Sequence, residues 1–132
     1  MPPDAARQND EVAGTDIHIV MLPVPGGETP VPLPHPFKGK ITGGVSTNVK
    51  IEGVAAATAT SQVKNDQDHI PNGPKFMNKP TNDGFVVKGS ATVLINGKPA
   101  ARKGDQVMTC NDPVPLPTST ITKGSTKVSI GG

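Results

Sequence analysis

One short sequence unit occurs three times along the chain, and this repeat constrains the fold more than any other feature. Residues 49–53 (VKIEG) align with residues 93–97 (VLING). A third copy, residues 123–132, aligns with residues 88–97. The repeat units lie near residues 41–63, 85–107 and 120–132. Repeats this short cannot bury an apolar face alone, so they are expected to pack against one another.

Each unit predicts β-structure. Apolar and polar residues alternate along Ser-x-x-Val-x-Ile-x-Gly, which is the period of a half-buried strand. The Asn96-Gly97 pair that follows is a strong signal for a tight hairpin turn. Windows long enough for a helix are interrupted by proline, glycine or β-branched residues, and none is predicted. The expected three-way core comprises Val49, Ile51, Val93, Ile95, Val128 and Ile130.

The composition predicts a thin fold that needs support from outside its own core. The 132 residues include 15 glycines and 15 prolines, but only three phenylalanines and no tryptophan or tyrosine. A chain with so few large apolar side chains depends on a metal, a partner or oligomerisation. The formal net charge is only +2, without basic runs or interleaved aromatics, which argues against nucleic-acid binding. No apolar stretch is long enough to span a bilayer.

Two segments share the sequence Pro-Val-Pro-Leu-Pro, residues 30–34 and 113–117. Such segments are stiff, extended and poor in amide donors. One interpretation makes them disordered linkers or ligands for an aromatic groove. The other, which we favour between ordered repeats, makes them stiff arms that lie against the repeat strands. Residues 1–14 and 64–84 have no counterpart in the repeat alignment.

Four side chains form a candidate metal-ligand set, namely His18, His35, His69 and Cys110. They are all the histidines and the single cysteine of the chain. One thiolate and three imidazoles complete a tetrahedral zinc set and leave no position for a catalytic water. His35, His69 and Cys110 stand near prolines, so we expect them at stiffened corners, while His18 should project from a strand. The same four residues are also ordinary composition, and residue spacing alone leaves both interpretations open.

No catalytic constellation is recognisable. The carboxylates are scattered, and Asp66 and Asp68 are most simply a solvated loop pair. Asp105, close to Lys103, is expected to be a surface carboxylate in a turn. The chain lacks a nucleophile elbow and a phosphate-binding glycine loop, so the sequence predicts a protein that is not an enzyme.

The segment around Pro99, Ala100, Ala101 and Arg102 resembles the PAAR-repeat family, which takes its name from these four residues. The preceding strand, the following Gly104-Asp105, the three repeats and the set of one cysteine and three histidines strengthen the resemblance. It covers residues 15–132, after an N-terminal arm of residues 1–14. Only the second unit carries the intact motif. The first reads Ala56-Ala57-Thr58, and the third ends before it.

The resemblance implies a small conical β domain of pseudo-threefold arrangement that caps the spike of a contractile injection system. Such systems include type VI secretion systems, phage tails and extracellular contractile particles. In that family one structural zinc near the vertex is held by three histidines and one cysteine, which here implies His18, His35, His69 and Cys110. Iron is a lesser alternative for the metal.

The resemblance also implies the partners and the location of the chain. The main partner would be a trimeric β-helical spike with one tip chain per trimer; effectors could be further partners, and the target membrane would be contacted transiently. We expect synthesis in the cytoplasm without a signal peptide, followed by delivery on a particle to the exterior or into a target cell. The alternatives left open are a small zinc metalloenzyme and an interaction module that binds through its Pro-rich segments.

Overall fold

The computed structural model describes residues 2–132, and their regular structure is entirely β, which confirms the predicted fold class. No helix that could cross a membrane is found in this part of the chain. The strands are β1 (Glu11–Val24), β2 (Gly27–Gly43), β3 (Lys50–Ile51), β4 (Val54–Ala55), β5 (Gln62–Asn65), β6 (Lys75–Phe76), β7 (Asp83–Val86), β8 (Leu94–Ile95), β9 (Lys98–Pro99), β10 (Gln106–Thr109) and β11 (Leu116–Ile121).

Six strands close into an antiparallel ring. The order is β11-β10-β7-β5-β2-β1, and β11 pairs back onto β1. Three of the pairings bring two buried side chains face to face and are related by the repeat: Val12 with Ile121, Ile41 with Val63, and Val86 with Val107. These six side chains lie in the main apolar core, so each third of the ring contributes one such pair.

A second apolar layer lies at one end of the ring and is built from three hairpins. Two of them are continuous, β3–β4 and β8–β9. The third joins the two ends of the described chain, because Ile130 N donates to Pro3 O at 2.9 Å and Ala5 N donates to Val128 O at 2.9 Å. We call this end the base. Its buried core is three isoleucines and three alanines: Ile51, Ile95, Ile130, Ala5, Ala56 and Ala100.

The expected core is therefore half right. Ile51, Ile95 and Ile130 are buried, but Val93 and Val128 are each 37% exposed, and Val49 is only partly buried. The three valines precede their isoleucines by two residues, at the outer margin of the base. The strands there are too short for a further layer to cover these positions.

The alignment that left residues 1–14 without a repeat counterpart is wrong for residues 4–10. Ala6 N donates to Ala101 O, Ala101 N to Ala57 O, and Ala57 N to Ala6 O, each at 3.0 Å. These three bonds form a closed ring, so Ala6 occupies the place that Ala57 and Ala101 occupy in the other units. Residues 4–10 supply the motif that the third unit lacks, and the predicted boundary between residues 14 and 15 falls inside β1.

At the end opposite the base the ring gives way to one long hairpin. β1 and β2 pair continuously from Glu11 with Lys40 to Val24 with Gly27, whereas β11 leaves β1 at Gly14. Beyond that point β1 has only β2 and the short β6 beside it. The loss of strands narrows the fold toward this end, which we call the hairpin end.

The first Pro-rich segment lies within β2, in agreement with the stiff-arm interpretation. Even-numbered residues of β2 turn their backbone groups away from β1, since Lys38 O accepts from Asp66 N and Pro34 O accepts from Asn72 Nδ2. Prolines occupy four such positions, 30, 32, 34 and 36. Because proline has no N–H, the free edge of this part of β2 offers no donors to another strand.

Candidate metal centre

A cluster of buried polar side chains lies beyond the apolar core, where β1 and β2 continue past the ring. Asp16 and His18 are two residues apart on β1, so they face the same side, and both are at most 1% exposed. His35 lies on β2 directly opposite Asp16 and is 2% exposed. His18 thus projects from a strand as predicted. His35 also lies in mid-strand, so its expected place at a proline-stiffened corner is wrong.

Two further members of the cluster come from loops. His69 lies between β5 and β6, where its backbone N donates to Asn82 Oδ1 at 2.8 Å. Cys110 directly follows β10, and its backbone N donates to Asp83 O at 3.1 Å. Both loops are therefore tied to the segment around β7. The fold brings together all four side chains that the sequence singled out.

The closest group is not the predicted set. One donor atom from each of Asp16, His18, His69 and Cys110 lies within 4.8 Å of the others, without His35. The His35 ring is nevertheless adjacent, with its centroid 5.7 Å from the centroids of both other imidazoles. The centre therefore contains five potential ligands rather than four.

The hydrogen bonding around the histidines indicates that a partner is needed. Among residues 2–132, the buried side-chain N and O atoms without a hydrogen-bond partner are His18 Nδ1, His18 Nε2 and His35 Nε2. Asp112 Oδ2 lies 3.4 Å from His18 Nδ1, which is longer than a good hydrogen bond. His35 Nδ1 lies 2.9 Å from Leu33 O, so it carries the proton and leaves a lone pair on Nε2. Unpaired buried imidazole nitrogens are costly without a ligand, so this donor set fits a metal ion.

Burial sets the protonation of these groups. It lowers the pKa of both His18 and His35, which keeps the imidazoles neutral and able to coordinate. It raises the pKa of the Cys110 thiol to about 11, with the nearby Asp16 carboxylate adding to the shift. In the absence of a cation the thiol is therefore protonated, and a bound metal would displace its proton.

An aromatic side chain covers the cluster on one side. The ring of Phe76, on β6, lies 5.8 Å from the His18 ring and 5.2 Å from the His35 ring, measured between centroids. β6 pairs with β1 at Val20 and Met21, which holds Phe76 in position. This apolar cover keeps solvent away from His18 and His35 on that side.

Asp16 is the member of the cluster that the sequence analysis missed. Its Oδ2 lies 2.8 Å from His69 Nε2 and 3.5 Å from Cys110 Sγ. The available signal was its position two residues before His18 in an alternating strand, which places both on one face. A single carboxylate at that spacing is common on solvated strands, and only the convergence of two distant loops distinguishes it here.

The fold and its buried donors define a class: small repeat-built β proteins with a buried side-chain cluster that could bind a metal. Comparison with known proteins then gives the family. Residues 78–132 match the family model described as PAAR motif. This match supports the resemblance found in the sequence to the PAAR-repeat family. Proteins of this family are structural rather than enzymatic and generally act as spike tips. No curated protein matched the chain.

Proposed function

We propose that this chain is a nonenzymatic tip that caps the trimeric spike of a contractile injection system and sharpens it for piercing a target envelope. In this proposal the base docks on the spike and the hairpin end leads. The particle carries the chain to the exterior or into the target cell. A tip of this kind supplies no chemistry, and its task is to transmit force through a small rigid end.

The observation that carries the proposal is the threefold base made by one chain. The closed ring of Ala6, Ala57 and Ala101 gives three similar hairpins around one axis. A threefold partner normally requires three identical surfaces, and a single chain provides them here by internal repetition. The stoichiometry expected is therefore one tip chain per spike trimer.

We further propose that one structural zinc, with iron as a lesser alternative, is held by His18, His35, His69 and Cys110. Support comes from the unpaired imidazole nitrogens and the adjacent thiol. When bound, the ion would cross-link β1, β2 and two loops and add its binding free energy to folding. Removing it with a chelator should lower the melting temperature. An unchanged melting temperature after removal of bound zinc would contradict a structural role.

Spike binding tests the docking surface directly. Val93 and Val128 are exposed, symmetry-related positions of the base. The double variant Val93→Asp with Val128→Asp should weaken binding to the system's trimeric spike at least about tenfold, because it places charge in an apolar contact. Val24→Asp, at the tip of the β1–β2 hairpin and 42% exposed, is the matched control. Light scattering should give one tip per trimer, and a three-to-three complex would reject the cap.

Neither alternative function gains support from the structure. A zinc hydrolase needs a water-accessible metal, whereas His18, His35 and Cys110 are at most 5% exposed and, of the four proposed ligands, His69 alone is partly exposed. A groove ligand needs a free Pro-rich segment, whereas residues 30–34 are paired within β2 and the second segment, residues 113–117, enters β11 at Leu116. Sheath, baseplate and spike genes beside this one would strengthen the proposed function.

A further inference from the structure

We infer that Asp16 is a positioning residue for the metal centre, one that holds His69 by its Nε2–H and directs His69 Nδ1 to the metal. The inference rests on the metal binding proposed above. It concerns a residue outside the set of three histidines and one cysteine.

The carboxylate of Asp16 is held firmly on one side. Its Oδ1 accepts hydrogen bonds from Thr109 Oγ1 at 2.5 Å and from Thr118 Oγ1 at 3.2 Å. Asn111 Nδ2 lies 3.5 Å from the same oxygen. These donors come from β10, β11 and the loop between them, so the orientation of the carboxylate is fixed by one continuous segment, residues 109–118, that is distant in sequence from Asp16. Only Oδ2 faces the histidines and the thiol.

The distance between Asp16 and His69 is that of a hydrogen bond rather than of two ligands. Oδ2 and Nε2 are 2.8 Å apart. Two ligands of a tetrahedral zinc, with bonds of about 2.0–2.1 Å, lie about 3.3 Å from each other. His69 therefore donates Nε2–H to Asp16, which leaves the lone pair on Nδ1. Carboxylate, imidazole and metal in that order form a common arrangement that fixes the tautomer and strengthens the ligand.

Charge supplies an independent argument. Asp16 is fully buried, and within the described residues its ion-pair partner is His69 alone, with no lysine or arginine in range. A buried carboxylate needs a compensating positive charge. Zinc with one thiolate and three neutral imidazoles has a net charge of +1, and two carboxylates lie beside these ligands: Asp16, next to His69, and Asp112, whose Oδ2 lies 3.4 Å from His18 Nδ1. Asp16, which is fully buried, thus contributes negative charge that offsets the positive charge of the site without entering the coordination shell.

The tautomers of the zinc-loaded full-length chain give the first test. Long-range proton–nitrogen correlation spectra of ¹⁵N-histidine-labelled protein should find His69 protonated on Nε2 and metal-bound through Nδ1. His35 should have the opposite arrangement, because its Nδ1 donates to Leu33 O. Coordination of His69 through Nε2 would overturn the inference. This measurement needs no variant, so it stands even if substitutions at Asp16 prevent folding.

Variants give the second test. Asp16→Ala should lower zinc affinity about 10–100-fold in competition with a chelator, and Asp16→Asn, which keeps an acceptor, should lose less. Asp10→Asn, a buried carboxylate at the base that hydrogen-bonds Arg7, controls for general destabilisation and should leave zinc affinity unchanged. Zinc affinity of Asp16→Ala within twofold of wild type would overturn the inference while leaving metal binding intact.

Cobalt(II) distinguishes a positioning carboxylate from a ligand. The wild type and Asp16→Asn should share the same d–d bands and thiolate charge-transfer absorption, since the ligands are the same. A shift of the d–d bands in Asp16→Asn would identify Asp16 as a direct ligand and reject the positioning role. Failure of the wild type to bind zinc or cobalt would instead reject the proposed metal site itself, and this inference with it.

Discussion

At the scale of single residues, two of the three motif segments contain an arginine–aspartate ion pair, and the segment of the first unit lacks it. Arg102 donates from Nε, from NH2 and from its backbone N to the Asp105 carboxylate, and Arg7 makes the same three bonds to Asp10. Asp105 is only 7% exposed, so its predicted place on the surface is wrong. The reason is that the turn folds its carboxylate back onto the arginine that begins it.

Removal of one partner should therefore be costly. Asp105→Ala leaves Nε, NH2 and the backbone N–H of Arg102 without their acceptor, and we expect a loss of about 2–4 kcal/mol in the free energy of unfolding. The first unit provides the control, because Thr58 N there donates to Ser61 Oγ. The double variant Arg102→Thr with Asp105→Ser should recover at least half of the loss. Urea unfolding measures both, and a loss below about 0.5 kcal/mol for Asp105→Ala would contradict the prediction.

Close backbone approach gives another residue-scale prediction. A Cβ on Gly84, in β7, would lie 2.1 Å from Met108 O on β10, and backbone atoms cannot move aside cheaply. Gly84→Ala should therefore cost about 2–3 kcal/mol. Gly131→Ala, where a Cβ would meet no atom within 4 Å, should change stability by less than about 0.5 kcal/mol. Equal melting temperatures for the two variants would refute the argument.

At the scale of elements, the repeat alignment predicted the two continuous hairpins and their turns. Glu52-Gly53 and Asn96-Gly97 both have positive φ at both residues, as tight hairpin turns require. The third hairpin could not be found in the same way, because its two strands come from opposite ends of the chain. Its only signal is Ala-Ala-Arg-x-x-Asp, shared by residues 5–10 and 100–105. Four identities in six residues are too few to distinguish from chance without the hydrogen-bonded ring.

The prolines on the free edge of β2 are expected to prevent this strand from pairing with another copy of the chain. Pro32→Val with Pro34→Val restores two N–H donors on the free edge, so we expect little loss of stability but concentration-dependent association. Lys40→Val is the matched control, because that even-numbered position is already covered by Lys64 of β5. Size-exclusion chromatography with light scattering measures the effect. A double variant that stays monomeric at high concentration would refute the protective role.

At the scale of the whole molecule, the described chain has three similar hairpins around one axis, and in one of them the two strands come from opposite ends of the chain. Ile130 N donates to Pro3 O at the place where Ile51 pairs with Val54 and Ile95 pairs with Lys98.

The metal centre is likewise a property of the whole molecule, since β1, β2 and two loops each bring donors. The sequence could supply four of its five donors by residue type alone. Their convergence and the role of Asp16 depend on strand register, which no local pattern encodes.

A circular permutant tests this description. Joining Gly132 to Pro3 should form a turn like Asn96-Gly97, and new ends between Asn96 and Gly97 move the break to an equivalent hairpin. We expect a folded protein whose melting temperature lies within about 5 °C of the original, since the same contacts are kept. New ends inside β5, between Val63 and Lys64, form the control and should prevent folding. Failure of the first permutant would show that the three hairpins are not interchangeable.

The hydrogen bonds between Ala5 and Val128 and between Pro3 and Ile130 also bear on the order in which the molecule forms during its synthesis. The motif segment of residues 4–10 is synthesised well before residues 125–130, which complete its hairpin. Domains often fold from the N-terminus as the chain emerges, but here the base stays open until residues 125–130 are available. Closing so long a loop is entropically slow. The newborn chain therefore leaves the backbone N–H and C=O of Ala5 without their partners until residues 125–128 are made, and nascent-chain folding assays should detect closure of the base as a late step.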